Sequence, residues 1–475
     1  MIPLASPAAD EGPPAVLPAE DVSTLAGGVT GGVVLLPDDT DYNTECATFN
    51  LAVTHRPAIV VGAADTADVQ SAVRFATAHE LPVAVLATGH QAIVPADGAM
   101  MITTRRMSAV SVDPDRRRAV VQAGVLAQQA VDGAVAFGLA PTVGSSPNVG
   151  VVGFTLGGGL SPTFGRSFGW AADYVHAIEV VTADGELRRV SATDEPDLFW
   201  ALRGSRSNMG VVTAIELELH EATRFYGGGL YFSGKDAAAV LHAYRRFATD
   251  VPERLTSSAA LLRLPDTPSV TEVLRGTFVV HVRIAHLGDS AEGARLVAPL
   301  RQSAPLLLDT LGDMSIVDFA SLHHDAEEPL YFREWTAMLS GYERDTVEAM
   351  LELAGPGTEP PAECVELRHM GGALGRQIGP PSAVGNRDAE FAVWIMSMRP
   401  PSEGDPEQVF AERVLARMRP WSTGRTYLNF SSLTTTPVRE AYSPETYARL
   451  RALKAVYDPR DVFCLNQNIV PAEGT

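Results

Sequence analysis

The chain has 475 residues, 46% hydrophobic and 20% charged, enough apolar material for a large core divided over two or more domains. Its formal net charge of −20 repels phosphate backbones and anionic lipid headgroups, which argues against nucleic-acid or membrane partners and in favour of small-molecule chemistry. Cys46, Cys364 and Cys464 are odd in number and far apart, without the paired spacing of thiolate metal sites or disulfide frameworks, so a reducing compartment is expected.

No Lys or Arg precedes Arg56, so the beginning of the chain lacks the positive region of a secretory signal and any twin-arginine pair. No apolar run reaches the roughly 20 residues of a membrane span. The expectation is a cytoplasmic protein with a mobile Pro/Ala/acidic tail over residues 1–40. From "PAIVVGAADTADVQSAVRFATAHELPVAVLATGH" the pattern is strand, helix, strand, with Val69, Ala72, Val73 and Ala76 at helical spacing. A second strand and Ala-rich helix follow in "RRRAVVQAGVLAQQAVDGAVAFGLAPTVG", where Gly138 can end the helix by taking φ > 0. In "YVHAIEVVTADGELRRVSA" two strands meet at Asp184-Gly185, a pair that type I′ hairpin turns favour. "DLFWALRG" reads as a short helix and "MGVVTAIELELH" as a strand, completing an α+β unit over 41–215.

Over 216–424 the texture changes to helices such as "DAAAVLHAYRRFA" separated by alternating strands such as "TFVVHVRIAHL", "CVELRHMGGAL" and "EFAVWIMSM". Such alternation suits an antiparallel sheet backed by helices. The last part, 425–475, opens with a predicted strand "TYLNFSSL" and continues as a helix that Ser443 can cap, with Pro444 at its first position and Pro459 beyond its end.

Five motifs are candidates for chemistry. "NVGVVGFTLGGGL" has five glycines in 13 positions, which lets bare backbone approach phosphate or a flat ring; the alternative is a tight glycine turn within a sheet. Its spacing is not that of a Rossmann loop. "GRSFG" matches a nucleophile elbow at Ser167, but the strand before it and helix after it that a serine hydrolase needs are not in the pattern. His323, His324 and Asp325 are a metal cluster by type and an exposed polar loop by context. His281 and His286, five apart on a strand, face opposite sides. "TGHQA" ends an apolar strand with His90, a turn residue or a point of attachment.

Taken in order, "LPVAVLATGHQA", "LAPTVGSSPNVGVVGFTLGGGL", "DLFWALRGSRSNMGVVT" and "YDPRDVFCLNQNIVP" resemble the FAD-linked oxidases of the vanillyl-alcohol-oxidase superfamily (PCMH-type), in particular the berberine-bridge-enzyme-like group, over about residues 40–471. The resemblance implies a two-domain fold, an FAD-binding unit and a substrate domain. It implies a covalent bond from His90 to the flavin 8α-methyl, with Ala87, Thr88, Gly89 and Gln91 around the pyrophosphate. Val149, Gly150, Gly153 and Gly157, Gly158 and Gly159 would pass along the cofactor, Gly210 and Val212 would lie at the adenine end, and Asn466 would also contact it. Many relatives carry a second tether in C-P-T-V-G-V; here Ser146 stands at the cysteine, so a single covalent link is expected. "GSRSN" at 204–208 departs from the usual glycine run.

The implied reaction is hydride transfer from a substrate carbon to flavin, removal of the neighbouring proton by a base, and reoxidation by O2. Tyr427 matches the tyrosine of the family's Y-x-N-(Y/F) stretch and, if it is the base, must be acidified; Asn429 would share its strand face. Glu366 is the second candidate base, with a surface ion pair to Arg368 as the alternative. Arg368, Arg387, Trp394 and Met396 are expected on the substrate, Met398 joins the apolar lining, and His369 and Tyr442 are further pocket candidates. The apolar lining points to a hydrophobic or polyaromatic, secondary-metabolite-like molecule. An oxygenating or cyclising outcome on a polyketide-type substrate, and a hydrolase at Ser167, are the alternatives. Oligomeric state is not legible.

Overall fold

The computed structural model describes residues 17–432 and 437–473. A four-stranded sheet runs in the order Val33–Leu35, Ile59–Gly62, Met100–Thr103, Val83–Leu86; the last three are parallel and the first joins antiparallel. Ile59–Gly62 and Met100–Thr103 are buried along their whole length, as strands covered on both faces must be. The crossover helix Thr66–Ala78 starts where the Asp65 carboxylate accepts the Asp68 amide at 3.0 Å. Its Val69, Ala72, Val73 and Ala76 are fully buried, as their spacing requires.

The expected tail over 1–40 is corrected beyond residue 17. Residues 1–16 lie outside the described part, but Ala19–Gly28 is a helix that buries Leu25, and Val33–Leu35 is a paired strand. Asp68 reaches back to this segment and accepts the Thr30 amide at 2.9 Å.

A five-stranded antiparallel sheet follows in the order Val110–Asp113, Arg118–Gln122, Val211–Glu218, Val175–Val181, Leu187–Ser191. Gly185 turns its hairpin at φ 75°. The helix Ala127–Val135 ends just before Gly138, which takes φ 74°. The glycine-rich segment is neither a sheet turn nor a strand: Val151–Leu156 is a short helix with Gly150 at its start.

The middle of the chain builds an eight-stranded sheet, antiparallel in each of its pairings. One set of alternating residues, among them Leu261, Val280, Val282, Val365, Leu367, Val393 and Ile395, packs with residues of helices Ala237–Asp250, Ser290–Arg301, Arg344–Ala354 and Pro406–Met418 in the largest core cluster. The opposite face is set by register. Tyr231 pairs with His281, His281 with Ala260, Ala260 with Glu366, and Glu366 with Trp394. Two residues along, the next row carries Gly229, Arg283, Ser258 and Arg368. This second face is polar yet buried, because it closes over the site.

The chain then returns. "TYLNFSSL" is not a strand: Leu428–Phe430 is a single 3-10 turn. The helix Pro444–Tyr457 is capped by Ser443, which accepts the Thr446 amide at 3.2 Å. Lys454 on it is fully buried and donates to Asp458 at 2.7 Å, to the Asn208 carbonyl at 2.8 Å and to the Phe463 carbonyl at 3.0 Å, which pins the C-terminal segment to the first α+β unit. Among the described residues no helix is long and apolar enough to cross a membrane.

Candidate active site

A cavity of about 1370 Å³ lies between the polar face of the large sheet, the loop after Val83–Leu86 and the glycine segment. Ala87, Thr88, Gly89, His90, Gln91, Ser146, Val149, Gly150, Gly153, Val212, Asn429 and Asn466 all line it, as do Tyr427, Arg368, Trp394, Met396 and Met398. The sequence alone placed these in segments as much as 379 residues apart, and the fold brings them to one space.

His90 lies in the turn after the parallel strand Val83–Leu86 and stacks on Phe49, ring centroids 3.8 Å apart and 9° from parallel. Its Nδ1 meets Thr88 Oγ1 at 2.9 Å, while its Nε2 is buried without a partner among the described residues. Burial lowers its pKa to about 4, so the imidazole is neutral at pH 7 and keeps a lone pair. Gly89 takes φ 74°, and a Cβ there would meet Thr48 at 2.7 Å. Among the described residues the amides of Thr88, Gly89, His90 and Gln91 have no hydrogen-bond acceptor. Across the cavity a Cβ on Gly153 would meet nothing within 4 Å. Free amides on one side, bare backbone on the other and an orphaned imidazole nitrogen fit a dinucleotide carrying a flat ring. Asn466, at φ 63°, accepts the amides of Ile93 and Val94 at 3.1 and 3.2 Å and so braces the His90 loop from the C-terminal segment.

Several expected residues stand elsewhere. Gly157, Gly158 and Gly159 do not line the cavity: a Cβ on Gly157 would lie 1.9 Å from Asn429 Oδ1, and one on Gly159 2.5 Å from Ala171. Gly157 makes room for Asn429 on the wall, and Gly158 and Gly159 for Trp170, Ala171 and Phe154. Gly210 does not reach it either; at φ 154° it packs on the Val181 carbonyl. Arg387 is spent on Asp173, at 2.5 and 3.1 Å, and leaves the cavity. Tyr442 donates to the Gly204 carbonyl at 2.9 Å, and His369 accompanies Arg166 at 2.9 Å; neither is on the wall.

Tyr427 and Asn429 meet, though not as neighbours on a strand face: Asn429 Nδ2 donates to the phenol oxygen at 3.1 Å, and the Leu160 amide donates to it at 3.0 Å. Burial nevertheless pushes the phenol up to about 12, against these hydrogen bonds and the charge of Arg206. The protein groups around Tyr427 do not acidify the phenol, as service as a base would require. Glu366 is no surface ion pair. It is fully buried behind the wall between Arg283 at 2.8 Å and Arg368 at 3.0 Å. Burial alone would raise its pKa, but the two guanidinium groups hold it well below the usual carboxylate range, which makes it a weak base.

Residues 57–191 match the family described as FAD binding domain, and residues 426–470 the family described as berberine and berberine like. (R)-6-hydroxynicotine oxidase of Paenarthrobacter nicotinovorans is 29% identical, the alignment covering 93% of this chain and 97% of that one. The crystal structure of 6-hydroxy-D-nicotine oxidase from Arthrobacter nicotinovorans superposes with a TM-score of 0.80 at 27% identity, over 93% of this chain and 98% of that one. Glucooligosaccharide oxidase from Acremonium strictum, described with a 6-S-cysteinyl, 8α-N1-histidyl FAD, shares the fold at a TM-score of 0.81 and 20% identity, over 95% of this chain and 100% of that one. The protein carries an FAD binding domain and is an oxidoreductase similar to the berberine-like family.

Sequence reasoning missed the carboxyl that the oxidoreductase places at the cavity wall. Glu334, on strand Arg333–Leu339, bonds to the Gln91 side chain and accepts from Trp394 Nε1 at 3.0 Å. Burial pushes it up to about 8, against the Trp394 bond, the Arg368 charge and the Gln91 bond. The signal was present as Glu334 and Thr336 alternating with Trp335 and Ala337, polar residues on one face of an apolar strand. His281 and Arg283 were legible the same way. His323 is not in an exposed loop: it is buried over Glu366, 3.7 Å away, while His324 is exposed. Among the described residues no three His, Cys, Asp or Glu groups are placed to hold a metal. Ser167 sits in the four-residue helix Gly165–Phe168 and donates to the Glu253 carbonyl at 3.3 Å; no imidazole activates it among its described partners, so the hydrolase reading is not favoured.

Proposed function

We propose that this oxidoreductase is an oxidase of a small, largely apolar molecule, with FAD attached through His90 alone and O2 as electron acceptor. The observation that carries the reading is the buried, neutral and partnerless His90 nitrogen beside a loop of free amides. FAD held there would supply the hydride acceptor, and O2 would take the two electrons from the reduced cofactor. Ser146 stands at the position of the second tether seen in many relatives, on the cavity wall, its hydroxyl accepting the Asn148 amide at 3.3 Å. Arg206 donates to Gln467 at 2.8 Å and to the Leu428 carbonyl at 3.3 Å, which ties the Tyr427 turn to the C-terminal segment. Tyr427 orients the substrate by donating its phenol proton. Glu334, raised to about 8 by burial, is neutral at rest and takes the proton that leaves the substrate only in its ionised form, whose share grows as pH rises through 8. Trp394, Met396 and Met398 supply apolar wall and exclude water.

Acid denaturation tests the attachment. The full-length protein should stay yellow and fluoresce as a gel band, and His90→Ala should release the colour. A colourless precipitate from the natural chain overturns the covalent link. The secondary-metabolite character of the substrate and a cytoplasmic location are part of the same proposal, and rest on the apolar wall and on the reduced-type cysteine pattern.

A further inference from the structure

The polar face of the large sheet carries more than the proposed oxidation uses. Arg283 and Arg368 both close on one carboxylate, Glu366, and both reach the cavity wall. Two cations on one anion leave a surplus of one positive charge, with side chains 7% and 8% exposed. The next acid on that side, Glu334, is held neutral by burial, and Asp325 lies at the half-exposed rim. Arg283 Nε and His281 Nε2 are buried without partners among the described residues. His281 is stacked at 3.9 Å on Tyr231 and only 1% exposed.

We propose that the Arg283–Glu366–Arg368 cluster, with His281 beside it, is an anion subsite, and that the substrate is an aromatic molecule carrying a carboxylate or acidic phenol seated there. The inference rests on the cavity being the oxidation site. Its physical reason is desolvation. Once a substrate fills the cavity and expels water, an unbalanced guanidinium is costly, and a substrate oxyanion removes the imbalance while gaining charge-assisted hydrogen bonds. The aromatic part follows from the surroundings: the Arg368 guanidinium lies 5.0 Å from the Trp394 ring and 4.5 Å from the Phe430 ring, so an aryl group bonded to the anion continues an existing aromatic wall.

The test uses flavin-loaded protein and two probes of equal shape, 2-naphthoate and 2-naphthamide, titrated by calorimetry. The naphthoate should bind at least about tenfold more tightly. Arg368→Met should abolish the difference, whereas Glu366→Gln, which removes the competing carboxylate, should strengthen naphthoate binding and leave naphthamide unchanged. General damage to the fold would weaken both probes in both variants, so the opposite signs separate recognition from structure. Equal affinities, no naphthoate binding, or a preference that survives Arg368→Met overturns the subsite. A protein that binds no flavin argues against the proposed oxidation; a yellow protein indifferent to probe charge argues against the subsite alone.

Discussion

At the scale of single residues, the Glu334 carboxyl carries the sharpest consequence. Its folded-state pKa is raised to about 8 by burial, so the folded protein holds this proton more tightly than the unfolded chain. That stability is fully present below the ordinary carboxylate range and is lost as pH rises through about 8. Glu334→Gln should therefore show a smaller fall in melting temperature between pH 5 and pH 9 than the natural chain. If Glu334 also takes the substrate proton, the same substitution should slow flavin reduction by about 10²-fold and remove a rise in rate near pH 8. A reduction rate that keeps its pH profile in the glutamine variant returns the role of base to another group.

Helix Pro444–Tyr457 shows how one element depends on a single buried charge. Lys454 makes three hydrogen bonds at 2.7 to 3.0 Å, and its partner Asp458 also accepts the Val462 and Phe463 amides. Removing the ammonium leaves a buried carboxylate and two carbonyls without their donor. Lys454→Ala should cost about 3–5 kcal/mol of stability, read by denaturant unfolding. Because Asn208, whose carbonyl Lys454 holds, lines the cavity and donates to the Gln467 carbonyl next to Asn466, flavin content should fall with it. The helix itself was legible: a serine cap, a proline at the first position and a proline after the end are local chemistry. The turn holding Tyr427 was not, because its shape is set by Gln467, which donates to the Leu428 and Ser431 carbonyls from about 40 residues away.

For the whole molecule, the cavity is the seam between the FAD-type unit and the eight-stranded sheet. The Gln91–Glu334 bond crosses it directly, from the residue after His90 to the sheet. A cofactor filling that seam binds only the assembled state and couples both sides. The loaded natural chain should melt in one calorimetric transition, and flavin-free His90→Ala protein at a lower temperature in two. A single, unshifted transition in the variant would mean that the two halves are already coupled without the cofactor.

By itself the sequence determined what depends on near neighbours: the crossover helix with its buried stripe, the Asp184-Gly185 hairpin, the alternating strands, and the short stretch that ends at His90. It also singled out Tyr427, Asn429, Arg368 and Trp394, which do share one cavity. Tertiary structure decided what those groups become. Arg387 looked available until Asp173 claimed it, Gly157 looked like cofactor backbone until Asn429 filled the space, and the raised proton affinity of Tyr427 could not be known until its burial was known. Proton affinity and free hydrogen-bond capacity are set by the dielectric and the charges within a few ångströms, and in a sheet of this order those neighbours come from strands far apart in the chain.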